Sequence, residues 1–265
     1  MAFRQATRPR YCDSDHEVWE GLRAWYASPV GQHLYRCEQE VLQSVLPDLF
    51  GYHLLQLGRL GEDDLTASSR VRHRVVLEAD PQARTDACAP AGVVALPHAL
   101  PLAPDSVDVL VLPHSLEFSS DPHRLLREAE RALVPEGHLV ILGFSPWGSW
   151  APWRLAAARS GQFPWCGRAL TLARVRDWVK LLGLQIVGVQ GYFFRPPLRG
   201  GRMMRMLRWM ERAGQRWPAL GGGFLLVARK RVVTLTPVRP RWRPRRALVP
   251  GLTQPGMRRD EGGRG

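Results

Sequence analysis

The sequence has no long apolar run, few cysteines and almost no lysine. No stretch approaches the roughly 18 to 20 apolar residues that a membrane-spanning helix needs, and the first residues contain no apolar signal core. Neither a membrane span nor secretion is therefore expected. The four cysteines show no paired spacing, which argues against a metal site and predicts a cytoplasmic protein. Only two of the 37 basic residues are lysines, so part of the basic character is a compositional bias towards arginine.

The net charge of +13 is concentrated in two segments. Residues 199–216 carry +5 and residues 231–265 carry +7, which leaves the rest of the chain almost neutral. The second segment is rich in proline, arginine and glycine and has too little apolar surface to fold alone. We therefore expect residues 232–265 to form a basic disordered tail.

The most informative stretch of the chain is residues 105–145. Residues 107–112 form an apolar, β-branched run that predicts a strand buried on both faces, and a polar loop is expected over residues 114–120. Asp121-Pro122 can begin a helix, because the carboxylate caps free amides and proline needs no donor at the first helical position. Pro135 to Gly137 is expected to end that helix, and residues 139–144 predict a second buried strand. The pattern is a βαβ unit.

This unit resembles the second half of the class I S-adenosylmethionine-dependent methyltransferases, in particular the type-11, ubiquinone-methyltransferase-like group. The residues that carry the resemblance are Leu100-Pro101-Leu102, Asp105-Ser106-Val107-Asp108, His114-Ser115-Leu116-Glu117, Asp121-Pro122 and Leu133-Val134-Pro135-Glu136-Gly137. The resemblance implies a Rossmann-like α/β fold with a mostly parallel seven-stranded sheet, an antiparallel last strand and helices on both faces. We expect this domain to span residues 48–231, after a helical cap over residues 1–47, in a monomer.

The resemblance also implies where S-adenosylmethionine would bind. The glycine loop of the family corresponds here to Gln56, Gly58 and Gly61, although glutamine replaces the usual acid and the second and third glycine positions hold other residues. A glycine allows the backbone to approach the cofactor closely. Glu78, or alternatively Asp80, stands where the family places the carboxylate that accepts hydrogen bonds from both ribose hydroxyls. A nicotinamide dehydrogenase is disfavoured, because its middle glycine is missing.

The remaining cofactor contacts are expected from two later segments. The family places an aspartate near the adenine where this chain has Leu96, with Pro97 and His98 beside it. His114 and Leu116 are expected near the methionine end of the cofactor. His114 is also the candidate general base, since an imidazole can take up a proton near neutral pH, and the alternative is that it only lines the site or bonds its own loop.

Three other segments are candidates for the acceptor side. Trp25, Tyr26 and His33 either close the pocket or simply pack within the N-terminal cap. The tryptophan-rich residues 145–170 either stack on a flat acceptor or form a packed lid. Residues 198–217 predict a helix with an arginine stripe, which is either a solvated face or a surface for phosphates.

These patterns lead to one principal hypothesis of function and two alternatives. We expect a methyltransferase that uses S-adenosylmethionine and acts on a small or medium-sized acceptor, with the arginine stripe attracting an anionic group on it. The altered glycine loop and the missing adenine aspartate favour, as the alternative, a regulatory protein that has lost the cofactor site. A nucleic-acid methyltransferase is disfavoured, because the chain outside the two basic segments is nearly neutral.

Overall fold

A computed structural model gives the structure of residues 15–61, 63–78, 91–94, 99–152, 163–194, 220–231 and 256. The chain divides into two compact units, Met1–Val232 and Val233–Gly265. All helices and strands described below belong to the first unit. The predicted arginine helix over residues 198–217 and nearly all of the predicted tail lie outside the described residues.

The described part of the chain contains helices and strands, and residues 107–144 have the strand–helix–strand order that the βαβ pattern predicts. Its helices are α1 (Asp15–Tyr26), α2 (Pro29–Gln43), a 3₁₀ turn (Leu46–Asp48), α3 (Ser115–Phe118), α4 (Pro122–Ala132) and α5 (Leu172–Leu181). Its strands are β1 (His53–Leu57), β2 (His73–Glu78), β3 (Ala91–Val94), β4 (Val107–Pro113), β5 (Leu133–Phe144), β6 (Leu184–Tyr192) and β7 (Gly223–Lys230).

The seven strands form one sheet in the order β3-β2-β1-β4-β5-β7-β6. The first five strands in this order pair in parallel, and β7 runs antiparallel to both β5 and β6. The sequence of strands reverses direction between β1 and β4, so the carboxyl ends of these two strands flank the crevice where open α/β sheets hold ligands. The predicted Rossmann-like methyltransferase fold is confirmed.

Helices cover both faces of the sheet because the strand residues alternate between two cores. Val109, Val111 and Val140 pack with α1 and α2 in one core. Leu110, Leu112 and Leu139 pack with α4 and α5 in the other. The central strand β4 has apolar side chains in both cores, with exposures of 0–4%, so the predicted burial on both faces is confirmed. The two helices of the N-terminal cap therefore pack on one face of the sheet.

Three helices begin at side chains that bind their first free amides. Ser28 accepts a hydrogen bond from the Gly31 amide, and Thr171 accepts one from the Arg174 amide. Asp121 accepts a hydrogen bond from the Arg124 amide at 3.0 Å, which confirms its predicted capping role. Such caps satisfy donors that have no partner inside the helix.

Two boundaries differ from the sequence-based expectation. The segment predicted as a polar loop contains the short helix α3, whose four residues are all buried, because Ser115 bonds to Leu57 O and Glu117 accepts the Phe144 amide of the sheet. Pro135 to Gly137 does not end α4, which stops at Ala132. Instead, β5 begins at Leu133 and contains this segment, with Glu136 in a left-handed conformation and a register shift opposite Val107 and Val109.

Within the part of the chain that the structure describes, no helix is long and apolar enough to span a membrane.

Candidate active site

The predicted glycine loop begins where β1 ends, at the edge of the crevice. Gly58 has a φ of +84°, a left-handed conformation that favours glycine, and its amide donates to Leu77 O at 2.7 Å. Gln56 is buried and donates its side-chain amide to Gly58 O at 2.7 Å. Its oxygen Oε1 has no hydrogen-bond partner in the described structure. Two hydrogen bonds therefore fix the backbone at Gly58, and the Gln56 Oε1 acceptor has no partner among the described residues.

Glu78 lies at the end of β2, next to this loop, and is 4% exposed. Its Oε1 accepts a hydrogen bond from Arg59 Nε at 2.9 Å. Its Oε2 is buried and has no partner in the described residues. Arg59 thus occupies one oxygen of the carboxylate, and the other oxygen can accept a hydrogen bond from a ligand.

The space directly over Gly58 is filled by Trp19 from α1. A methyl group added at Gly58 would collide with the six-membered ring of this indole, and Trp19 is only 6% exposed. Gly61 lies against the ring of Tyr35 in the same way, with Tyr35 Cζ at 3.1 Å from the position of an added methyl. The N-terminal cap therefore covers both glycines of the loop.

The other predicted cofactor residues fall into two groups. Leu96, Pro97, His98 and the alternative acid Asp80 lie outside the described residues. Leu116 is buried in the core beneath α4, with Leu112 and Leu126 in the same cluster. Leu57, which precedes Gly58, belongs to the same cluster, so Leu116 packs near the start of the loop and its contact with a cofactor stays a prediction.

His114 lies at the end of β4 and is completely buried between two carboxylates. Its Nδ1 is 3.1 Å from Glu117 Oε2, and its Nε2 is 2.9 Å from Glu38 Oε1. The residue adopts a left-handed conformation with a φ of 53°, which is uncommon for residues other than glycine. The ring also stacks on Phe144, with centroids 4.0 Å apart.

Glu38 connects this site to the cap and to the far edge of the sheet. The hydroxyl of Tyr26 donates to Glu38 Oε1 at 2.9 Å, and that of Tyr192 donates to the same oxygen at 3.3 Å. Glu117 is anchored separately, because its Oε1 accepts the Phe144 amide. We call Tyr26, Glu38, His114, Glu117 and Tyr192 the buried network.

The network determines the charge on His114. Burial acts to lower the pKa of His114, but the carboxylates of Glu117 and Glu38 outweigh it and raise the pKa to about 9. Burial raises the pKa of Glu117, an effect opposed by its contacts with His114 and the Phe144 amide. Burial and the Glu38 charge raise the pKa values of Tyr26 and Tyr192, so both remain hydroxyl donors. At neutral pH His114 is therefore an imidazolium that donates both of its N–H groups.

Aromatic rings surround the network on the side of the cap. Trp25 and Trp150 each pack against Phe144, with ring centroids 6.4 and 6.3 Å away, and they contact each other at 6.0 Å. Trp150 and Trp165, both from the predicted aromatic segment, are 5.3 Å apart. Trp150 is thus separated from His114 by the ring of Phe144 alone, Trp165 lies one ring further out, and Trp147 is 78% exposed.

Sequence reasoning missed Glu38 and assigned no role to Glu117. The signal for Glu38 was present, because Leu34, Glu38 and Leu42 are four residues apart and occupy one face of α2. A carboxylate in the middle of an apolar stripe needs a buried partner. Among the described residues there is no cluster of His, Cys, Asp or Glu that could hold a metal ion.

Comparisons with known proteins agree with the fold. A family model described as a methyltransferase domain matches residues 64–141. The uncharacterized protein YafS of Escherichia coli K12 is 33% identical over 213 residues, which cover 80% of this chain and 82% of that protein.

Solved structures resemble the fold at low sequence identity. An S-adenosylmethionine-dependent methyltransferase of Thermotoga maritima, described as a possible histamine N-methyltransferase, has a TM-score of 0.61 at 16% identity and covers 81% of this chain and 100% of its own. A Haloferax volcanii methyltransferase in complex with the activator Trm112 has a TM-score of 0.55 at 18% identity and covers 82% and 98%. At these identities the likeness concerns the fold.

Proposed function

The chain belongs to the type-11 group of the class I S-adenosylmethionine-dependent methyltransferases, and on that premise we propose that it binds S-adenosylmethionine in the crevice and methylates an acceptor held beside the buried network. The proposal places the protein in the cytoplasm, as its cysteine usage predicts. The acceptor is small or medium-sized in this proposal.

The observation that carries the proposal is the half-used carboxylate of Glu78. Its unpartnered Oε2 lies at the end of β2, where the family accepts hydrogen bonds from ribose hydroxyls. Gln56 Oε1, also buried without a partner, offers a second acceptor for a donor such as the ammonium of the methionine part. Buried acceptors without donors are costly, and a ligand rich in hydroxyl and amino groups would satisfy both. The residues present therefore fit the cofactor.

The place of Trp19 adds a condition to this proposal. The indole covers the side of Gly58 that a close-lying ligand would contact, so Trp19 must move aside before a cofactor can lie against the glycine. Because Trp19 belongs to α1, cofactor binding is expected to rearrange the cap.

The contribution of the chain to catalysis is mainly positional in this proposal. Bound S-adenosylmethionine supplies an electrophilic methyl group. The cap and the aromatic rings would exclude water, and the network would orient the acceptor towards the bound cofactor. The predicted role of His114 as a general base is not retained, because both ring nitrogens already donate to carboxylates. His114 is instead a positioning residue that fixes Glu38 and Glu117.

One alternative function has its own supporting observation. Trp19 over Gly58 and Arg59 on Glu78 also suit a regulatory protein that keeps the fold without the cofactor. The nucleic-acid alternative depends on the arginines of residues 198–217, which lie outside the described residues.

Isothermal titration calorimetry with S-adenosylmethionine and S-adenosylhomocysteine tests the proposal. We expect both to bind the wild type, and Glu78→Gln to weaken binding about tenfold, or about 1.4 kcal/mol, through loss of a charge-assisted acceptor. The control is Glu136→Gln, since Glu136 is an exposed carboxylate paired with Arg229 near the start of β5. Absence of binding to the wild type at millimolar cofactor would favour the regulatory alternative.

A further inference from the structure

The carboxylate of Glu38 is bonded very unevenly. Its Oε1 receives three donors, from His114 at 2.9 Å, Tyr26 at 2.9 Å and Tyr192 at 3.3 Å. Its Oε2 receives none from the described residues, although it is fully buried. The chain therefore holds the side chain rigidly through one oxygen and leaves the other without a partner.

Such an arrangement is costly unless something else satisfies it. A buried acceptor without a donor costs about 1 to 3 kcal/mol, and more when it carries a charge. The network also contains two carboxyl groups and a single imidazole, and both tyrosines remain hydroxyl donors. Acidic groups thus outnumber basic ones around Glu38 Oε2, which has no hydrogen-bond donor among the described residues.

The location of this oxygen identifies what would supply the donor. Glu38 bonds to His114 at the carboxyl end of β4, beside the reversal point of the sheet where ligands bind. The ring of Phe144 stacks on His114, and Trp25 and Trp150 pack against Phe144, so aromatic rings lie on the far side of the imidazole. A buried carboxyl oxygen that lacks a donor among the described residues, at the ligand edge of the sheet, has the chemistry of an ammonium site.

We propose that Glu38 Oε2 binds a protonated amine of the methyl acceptor, so that Glu38 determines the specificity of the site for organic cations. This inference rests on the proposed function and adds the class of acceptor to it. A neutral hydroxyl group would satisfy the hydrogen bond, but an ammonium group would also pair with the second carboxyl group, which the single imidazole leaves in excess. An acceptor that also carries an anionic group could still meet the arginine stripe predicted from the sequence over residues 198–217.

The test uses a simple aromatic ammonium ion and its uncharged counterpart. Benzylammonium and benzyl alcohol differ little in size, so a difference in affinity reports the charge. We expect benzylammonium to bind the wild type with millimolar affinity, and benzyl alcohol to bind at least tenfold more weakly. Affinity would be measured by calorimetry at pH 7 on the full chain.

Variants of two glutamates on α2 assign the effect to a residue. Glu38→Gln keeps the shape of the side chain and removes its charge, and we expect it to lower benzylammonium affinity at least tenfold. Glu40→Gln is the matched control, because Glu40 is exposed on the same helix, and it should bind like the wild type. Should Glu38→Gln fold poorly, the comparison of benzylammonium with benzyl alcohol on the wild type still decides the question.

A second readout is the nitrogen NMR spectrum of His114. Binding of benzylammonium should shift the Nε2–H resonance, because its acceptor carboxylate then shares its charge with the ligand. Equal affinity for the alcohol, unchanged affinity in Glu38→Gln or no binding of the amine by the wild type would each overturn the inference. Since Glu38 does not contact the glycine loop, S-adenosylhomocysteine binding reports separately on the proposed function.

Discussion

The two sides of the crevice are prepared in opposite ways. On the side of the glycine loop, Gln56 and Glu78 each keep a buried oxygen without a partner among the described residues, and Trp19 covers Gly58. On the side of His114, hydrogen bonds within the chain join five side chains into one network, although Glu38 Oε2 has no partner among the described residues. The side chains of the network hold one another in place, whereas Gln56 and Glu78 are not joined to each other by a hydrogen bond that the structure describes. The difference suggests that the network is part of the folded core and that the cofactor side carries the conformational change.

Removing a member of the network should have the largest effect on stability. Glu117→Ala leaves the His114 imidazolium with one carboxylate and leaves the Phe144 amide without its acceptor. Breaking a buried charged pair typically costs about 3 to 5 kcal/mol, and we expect that loss in the free energy of unfolding by urea denaturation. Glu128→Gln is the control, because its partner Arg131 is one-third exposed and surface pairs contribute less than about 1 kcal/mol. Equal effects of the two changes would show that the network is not a core element.

The network should also make stability depend on pH. The pKa of His114 is raised to about 9 in the folded protein, from roughly 6.5 in an unfolded chain, so its stabilisation is complete below about pH 6.5 and is lost as the pH rises through 9. The shift corresponds to about 3 kcal/mol. Burial raises the pKa of Glu117 as well. The free energy of unfolding therefore also falls with rising pH as Glu117 titrates, but at lower pH than for His114.

The groups that face His114 are Glu38 on α2, Glu117 on α3 and the hydroxyls of Tyr26 and Tyr192. Urea denaturation at a series of pH values should show the free energy of unfolding of the wild type falling between pH 6.5 and 9. In His114→Asn this dependence on pH should be much weaker. His138 is not expected to interfere, because burial lowers its pKa and its titration lies below this window. A stability that stays constant from pH 6.5 to 9 in the wild type would contradict the charged state of His114.

The smallest effect is expected from removing Trp19, the side chain that covers Gly58. Trp19→Ala should strengthen S-adenosylhomocysteine binding about tenfold, or about 1.4 kcal/mol, because the ligand no longer has to displace a buried indole. Trp147→Ala is the control, since Trp147 is 78% exposed. An unchanged or weaker affinity in Trp19→Ala would mean that the ligand and the indole lie side by side. Gly58→Val is a poor probe of binding, because the new side chain would strike Trp19 and disturb the cap even without a ligand.

The sequence predicted the parts of this molecule that local patterns control. The apolar run of β4, the Asp121 cap and the antiparallel last strand followed from periodicity, residue chemistry and family resemblance. Glu38 did not, because its partner His114 is 76 positions away and a glutamate on a helix is usually solvated. The continuation of β5 through Pro135 to Gly137 was also missed, since pairing with neighbouring strands outweighed the local turn preference. The position of Trp19 over Gly58 depends on tertiary packing, and no local sequence pattern indicates it.

The order of the strands has a consequence for biosynthesis. Strand β7 lies between β5 and β6, although among the described strands it is the last to be synthesised. Until Gly223 to Lys230 has left the ribosome, the edge of β5 has no neighbour and β6 cannot join the sheet. At roughly 5 to 20 residues per second this wait lasts several seconds, during which an unpaired apolar edge invites wrong pairing. A nascent chain stalled before residue 223 should therefore bind chaperones strongly, and one released after residue 231 should not.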